Sequence, residues 1–166
     1  MLHNLVAALD SKLGFEKAEA HCDVPCGIYD PHVAQIDALT VVRMIDLLAD
    51  LEKNFPQAGA ARNNAEVRYT VVKEEHAEKC KHEIRVIWGD YIKPNHLEKY
   101  PQLHGLVHKI MTLGSKVRQT ADRQNGLDLV EAVNEFAQIF WETKNVPTKR
   151  VKAPYAPGLE IVYPVL

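Results

Sequence analysis

Read from the N-terminus, the first residues equipped for chemistry lie in the run His21-Cys22-Asp23-Val24-Pro25-Cys26-Gly27-Ile28-Tyr29-Asp30-Pro31. If the chain is cut before His21, the new α-amine, the Cys22 amide nitrogen and the Cys22 sulfur close fused chelate rings. Cys26, brought back by a turn at Pro25, supplies the remaining in-plane donor. Two nitrogens and two sulfurs suit a square-planar ion, Ni(II) or Cu(II), better than tetrahedral zinc. The imidazole of His21 can then approach along the axis. Hydrated Ni(II) is hard to oxidise, but anionic thiolates and a deprotonated amide push electron density onto the metal. An axial imidazole stabilises the oxidised state further. The plain alternative for Cys22 and Cys26 is a short-range disulfide.

Such a hook needs its amine freed and its far end anchored. Residues 1–20 read as a separate segment, with Leu2, Leu5, Val6, Leu9 and Leu13 at helical spacing. Ala18-Glu19-Ala20 matches a small-x-small cleavage pattern, yet the segment lacks the basic start and continuous apolar centre of a secretory signal. It is either a first amphipathic helix or a removable leader. Downstream, Asp30-Pro31 reads as a helix N-cap followed by proline at the first helical position. The apolar spacing of Val33, Ile36, Leu39, Met44, Leu47, Leu48 and Leu51 predicts a helix to about Lys53. A second is predicted from Ala58 to Trp88, its face running through Val67, Val71, Val72, Ile84 and Ile87. A third is predicted over Leu97 to Val117, with Pro101 in its first turn, and a fourth over Leu127 to Lys144. Together they predict an all-α chain, an antiparallel four-helix bundle with an N-terminal metal-binding hook. The four prolines between Pro147 and Pro164 mark residues 145–166 as an irregular or extended tail.

Bulk properties narrow the function. A formal net charge of −2 argues against a nucleic-acid binder. No apolar run approaches the roughly 20 residues that span a bilayer, so neither nucleic acid nor membrane is expected as a partner, and the cytoplasm is the expected compartment. Three cysteines are too few for a disulfide framework, and Cys80, alone, reads as a small buried helix residue.

The hook resembles the nickel superoxide dismutase family, whose mature N-terminus carries His-Cys-x-x-Pro-Cys-Gly-x-Tyr-Asp-Pro; every position of that pattern is matched. The resemblance continues in Trp88-Gly89-Asp90-Tyr91-Ile92-Lys93-Pro94, in His96-Leu97-Glu98-Lys99-Tyr100-Pro101 and in Ile139-Phe140-Trp141-Glu142-Thr143-Lys144, and so spans residues 21–144. It implies disproportionation of superoxide to dioxygen and hydrogen peroxide by Ni(III)/Ni(II) cycling, with a nickel ion in each subunit of a homohexamer. It also implies a leader over 1–20, removed by a maturation peptidase at Ala20–His21, ahead of a hook-plus-bundle domain over 21–144 and the tail. Carried over by position, the metal ligands are His21, Cys22 and Cys26. Tyr29 and Tyr91 line the approach, Asp23 helps set the hook, and Lys93 attracts the superoxide anion. The carboxylate that orients the axial imidazole, a glutamate in better-known members, is Asp37 here, and its arginine partner aligns with His76.

Other signals are weaker. His104 and His108 share a helical face at zinc-pair spacing without an evident third ligand. Glu78 and His82 lack the paired Glu-x-x-His motifs of a di-iron bundle. Met44, Trp88 and Trp141 read as core, and Lys79 and Lys81 as a solvated mixed-charge face. Two further functions use the same residues: nickel binding or delivery without turnover, and a helical interaction module with a Cys22–Cys26 disulfide. Superoxide turnover discriminates the first from the dismutase, and the presence of free thiols together with nickel discriminates the second.

Overall fold

The computed structural model describes residues 27–166. The chain forms α1 (His32–Asn54), α2 (Ala60–Val86), a π-helical turn (Ile87–Tyr91), α3 (Pro94–Lys99), α4 (Leu103–Gln119) and α5 (Arg123–Thr143). Strands β1 (Thr148–Lys152) and β2 (Glu160–Pro164) follow. Helix α1 packs against α2 and α5, and α4 packs against the same two. The core between them is built from Val41, Val42, Ile45, Ile84, Leu103, Ile110, Leu129, Phe136 and Phe140, all essentially inaccessible. Full burial of side chains of this size contributes about 1.5–3 kcal/mol each.

Local sequence explains the boundaries. Asp30 begins α1 by accepting the His32 amide at 2.8 Å, one of the donors that a helix N-terminus leaves unpaired. The predicted third helix is in fact two. Tyr100, pushed out of the α region by the proline that follows it, has φ −125° and ψ 71°. The helix breaks there, giving α3 and α4 rather than one rod from Leu97. Helix α2 keeps Ile84 of its expected face in the core, as the following turn keeps Ile87, but turns two of its valines outward. It buries Lys73, Ala77, Cys80 and Ile84, which leaves Val67 and Val71 exposed, while Trp88 lies at the surface instead of in the core. At Gly126 a Cβ would stand only 3.0 Å from Val42 Cγ2, so glycine permits the close approach of α5 to α1.

Lys73 takes a core position in the middle of α2. Its ammonium is buried and donates to the carbonyls of Val117, Arg118 and Thr120 at 2.7, 3.0 and 2.8 Å. These lie where α4 ends, where carbonyls are unpaired and the helix dipole favours a cation. Burial lowers the Lys73 ammonium from its ordinary value, with the Glu74 charge opposing.

The tail is not irregular. β1 and β2 pair antiparallel, with Arg150 opposite Val162. Two buried amides cover the outer edge of β2. Asn134 Oδ1 accepts from the Val162 amide (3.2 Å) and from Gln35 Nε2 (2.9 Å), while Asn134 Nδ2 donates to Glu160 O (2.9 Å). Gln35 Nε2 also donates to Val162 O at 3.1 Å. Strand propensity in Ile161-Val162-Tyr163 was visible in the sequence; the side chains standing in for a third strand were not. Asn134→Ala leaves several of these groups unpaired, each costing about 1–3 kcal/mol. We expect a lower melting temperature and loss of hydrogen-exchange protection at the Val162 amide, with the amides of α4 still protected.

Candidate metal centre

Two clusters of the sequence-predicted residues form among the described residues. The first joins α1 to α2. Asp37 is 5% exposed, set among Ala34, Ala38 and Val41 of α1 and Ala77 and Cys80 of α2, all fully buried. His76 Nδ1 lies 2.6 Å from Asp37 Oδ1. An ionised carboxylate only accepts, so with Asp37 charged the proton of this bond sits on His76 Nδ1. The other oxygen, Asp37 Oδ2, is buried without a hydrogen-bond partner among the described residues. Burial raises the Asp37 carboxyl above its ordinary value, although the His76 hydrogen bond and the charges of His76 and Lys79 pull the other way. Cys80 is wholly buried and a free thiol, as its sequence suggested. Burial first, then the Asp37 and Glu83 charges, push its thiol far up, so it stays protonated and unreactive.

The second cluster surrounds Tyr91. Gly27, at φ 74°, adopts the left-handed conformation that glycine takes without strain and leads the chain into Tyr29. The π-helical turn closes with the Ile92 amide on Ile87 O at 3.2 Å; this extra residue per turn changes the direction in which Tyr91 leaves the helix. The rings of Tyr29 and Tyr91 lie 5.7 Å apart. Tyr91 also meets His96, stacked at 5.3 Å, and Phe140 at 5.0 Å. The Lys144 ammonium sits 4.6 Å from the centre of the Tyr91 ring. The Tyr91 hydroxyl is 2.7 Å from Thr143 Oγ1. His96 is fixed in turn by accepting the Lys93 amide at Nδ1, 3.2 Å.

Lys93 is exposed and its ammonium folds back onto Asp90 O at 2.8 Å, so its charge stays at the surface beside the turn that carries Tyr91. His21, Cys22, Asp23 and Cys26 lie outside the described residues. Sequence reasoning assigned no role to His96, Phe140, Thr143 or Lys144, although all four stand in the segments that carried the resemblance. Spacing alone does not reveal that the end of α5 meets the π-helical turn. Of the weaker signals, His104 is engaged by Trp88, whose Nε1 donates to its Nδ1 at 3.1 Å. Glu78 is paired with Arg85 and Arg118 at 2.8 and 2.9 Å. Among the described residues no group of three or more histidine, cysteine or acidic side chains is placed to hold a metal.

The family profile described as nickel-containing superoxide dismutase matches residues 16–144. The superoxide dismutase [Ni] of Streptomyces seoulensis is 38% identical over 130 residues, covering 77% of this chain and 91% of that protein. That of Streptomyces coelicolor is 39% identical over 125 residues, covering 75% and 88%. The native 1.30 Å structure of nickel superoxide dismutase superposes with a TM-score of 0.65 at 39% identity, covering 75% of this chain and 99% of that one.

The sign of the Asp37 shift has a measurable consequence. A carboxyl raised by folding adds stability below its ordinary value and loses it as pH rises through the folded value. Asn at this position has nothing to ionise. In metal-free protein, the melting temperature of Asp37→Asn relative to wild type should therefore rise between about pH 3 and about pH 7. A difference that stays flat across that range would mean that the carboxyl is not penalised by burial.

Proposed function

The chain belongs to the nickel-containing superoxide dismutase family, and from that premise we propose that its metal centre is the hook His21-Cys22-Asp23-Val24-Pro25-Cys26, braced from α1 by Asp37. It is a nickel-dependent superoxide dismutase, converting superoxide to dioxygen and hydrogen peroxide. The observation that carries the placement of the site is the unpaired, buried oxygen of Asp37. A buried acceptor without a donor is costly, and the ring nitrogen of a metal-bound histidine ordinarily donates to such a carboxylate.

The donor set suits nickel. His21 would offer its amine and imidazole, Cys22 its backbone nitrogen and sulfur, and Cys26 its sulfur, a soft, strongly donating set. When bound, nickel supplies the one-electron exchange, alternating between Ni(III) and Ni(II). The protein's own groups do the rest. Asp37 receives the imidazole N–H of His21 and keeps that ring turned toward the site, while His76 holds the other carboxylate oxygen so that Asp37 cannot swing away. Tyr29 and Tyr91 line the approach and keep water ordered there, Asp23 helps fix the turn of the hook, and Lys93 raises the local concentration of an anionic substrate. Thiolates exposed to peroxide oxidise readily, so the two tyrosines also screen Cys22 and Cys26.

The same reading divides the chain into a leader over 1–20, a hook and antiparallel four-helix bundle over 21–144, and a C-terminal tail over 145–166. Short links between α1 and α2 and between α4 and α5 favour antiparallel neighbours. Since the His21 amine exists only after cleavage at Ala20–His21, a peptidase completes the site. The family resemblance implies a homohexamer for the mature protein, in which neighbouring subunits would help shield a short hook; native mass measurement showing an active monomer would refute this.

The central test compares nickel-loaded protein starting at His21 with the intact 166-residue chain. Only the former should turn over superoxide, and full turnover by the verified intact chain would overturn the ligand assignment. Cys22→Ser and Cys26→Ser should each abolish turnover with helical content unchanged, whereas Cys80→Ser should retain it. Asp37→Ala should keep nickel and lose turnover, because it would free the His21 ring without removing either sulfur donor.

A further inference from the structure

Tyr91 is clamped on its faces by Tyr29, His96, Phe140 and Lys144. The freedom that remains is the direction of its hydroxyl proton, and Thr143 decides it. Thr143 Oγ1 lies 2.6 Å from the carbonyl oxygen of Phe140. A carbonyl only accepts, so the hydroxyl of Thr143 must donate its one proton there. Were that proton turned toward Tyr91, two lone-pair-bearing oxygens would face each other at that distance. The carbonyl has no competing backbone donor from the next turn, since the Lys144 amide goes to Trp141 O at 3.0 Å instead. Phe140 O is one of the carbonyls a helix C-terminus leaves unpaired, and the threonine hydroxyl satisfies it. With its proton committed, Thr143 can only accept from Tyr91, whose hydroxyl lies 2.7 Å away.

We propose that Thr143 is a positioning residue for superoxide dismutation: it draws the Tyr91 proton toward the end of α5 and leaves the phenol oxygen as a fixed hydrogen-bond acceptor. The proposal rests on the reading that Tyr91 lines the approach to the metal. The chain Tyr91–Thr143–Phe140 ends on a carbonyl, which has no proton to pass on, so it orients and does not relay. Tyr91 therefore receives hydrogen bonds from water or from the peroxide product. The protons consumed in forming hydrogen peroxide come from another source.

The test uses nickel-loaded protein starting at His21 and separates geometry from turnover. Raman difference spectra, each variant minus the same variant carrying Tyr91→Phe, isolate the ring-mode doublet of Tyr91, whose intensity ratio distinguishes a donating phenol from an accepting one. Wild type should read as a donor. Thr143→Val should lose that signature, retain its nickel and turn over about fivefold more slowly, the value of one ordinary hydrogen bond. Thr143→Ser should restore both. If the valine variant does not fold, Thr143→Ala provides the same comparison. A wild-type phenol that reads as accepting without donating, or a serine variant that fails to restore the signature and the rate, overturns the proposal. Full turnover in Tyr91→Phe would instead remove Tyr91 from the approach, while the doublet would still report what Thr143 does.

Discussion

A carboxylate enclosed between two helices, with half of its accepting capacity unused, is the constraint around which the rest of this fold is arranged. Removing an ionised side chain from water costs several kcal/mol even after relaxation. Asp37 meets that cost with a single short bond to His76. Small residues, Ala34 and Ala38 on α1 and Ala77 and Cys80 on α2, are fully buried on the same two helices.

The elements that position this pair were largely legible in the sequence. Asp30-Pro31 announced the start of α1, and the apolar spacing of Leu103, Leu106, Val107, Ile110 and Leu113 announced α4. Each of these signals is local: a cap or a periodic face acts within a few turns. What the sequence concealed was long-range. The buried position of Lys73, whose ammonium reaches the carbonyls at the end of α4, is one that apolar periodicity cannot anticipate, since a lysine ordinarily faces solvent. The break at Tyr100 was available locally, because the residue before a proline avoids the α region; placing Pro101 in the first turn of a longer helix overlooked its effect on the residue before it. The hook lies outside the described residues, so its reading rests on residue types and order alone.

The C-terminal hairpin shows how a segment outside the region matched by the family can still bear on the site. Its β2 strand lies against α1 and α5 through Gln35 and Asn134, and Tyr163 of that strand sits 5.6 Å from the ring of His32, the first residue of α1. The hairpin thus braces the end of α1 at which the hook joins the helix. Arg150 adds a paired contact from β1 to Glu131 of α5, at 2.6 and 2.7 Å. An exposed ion pair of this kind contributes little alone, so the buried amides and the apolar contacts of Ile161 and Val162 carry most of the docking.

Two buried charges on α2 and its partner helices separate structural need from functional need. Lys73 and Asp37 are comparably inaccessible, at 4% and 5% exposure, and burial shifts both toward their neutral forms. Yet the ammonium has a carbonyl for each of its three protons, whereas among the described residues the carboxylate has one partner and an oxygen without any. The buried amides Gln35 and Asn134 resemble Lys73 in this respect, since the groups they meet on β2 are ones the hairpin would otherwise leave unpaired. Packing alone therefore explains Lys73, Gln35 and Asn134: each completes hydrogen bonds that the fold creates. It does not explain Asp37, where an apolar residue would fill the same space without the desolvation cost. A group that costs stability and leaves an oxygen unpartnered among the described residues is what the proposed role of Asp37, bracing a metal-bound imidazole, requires.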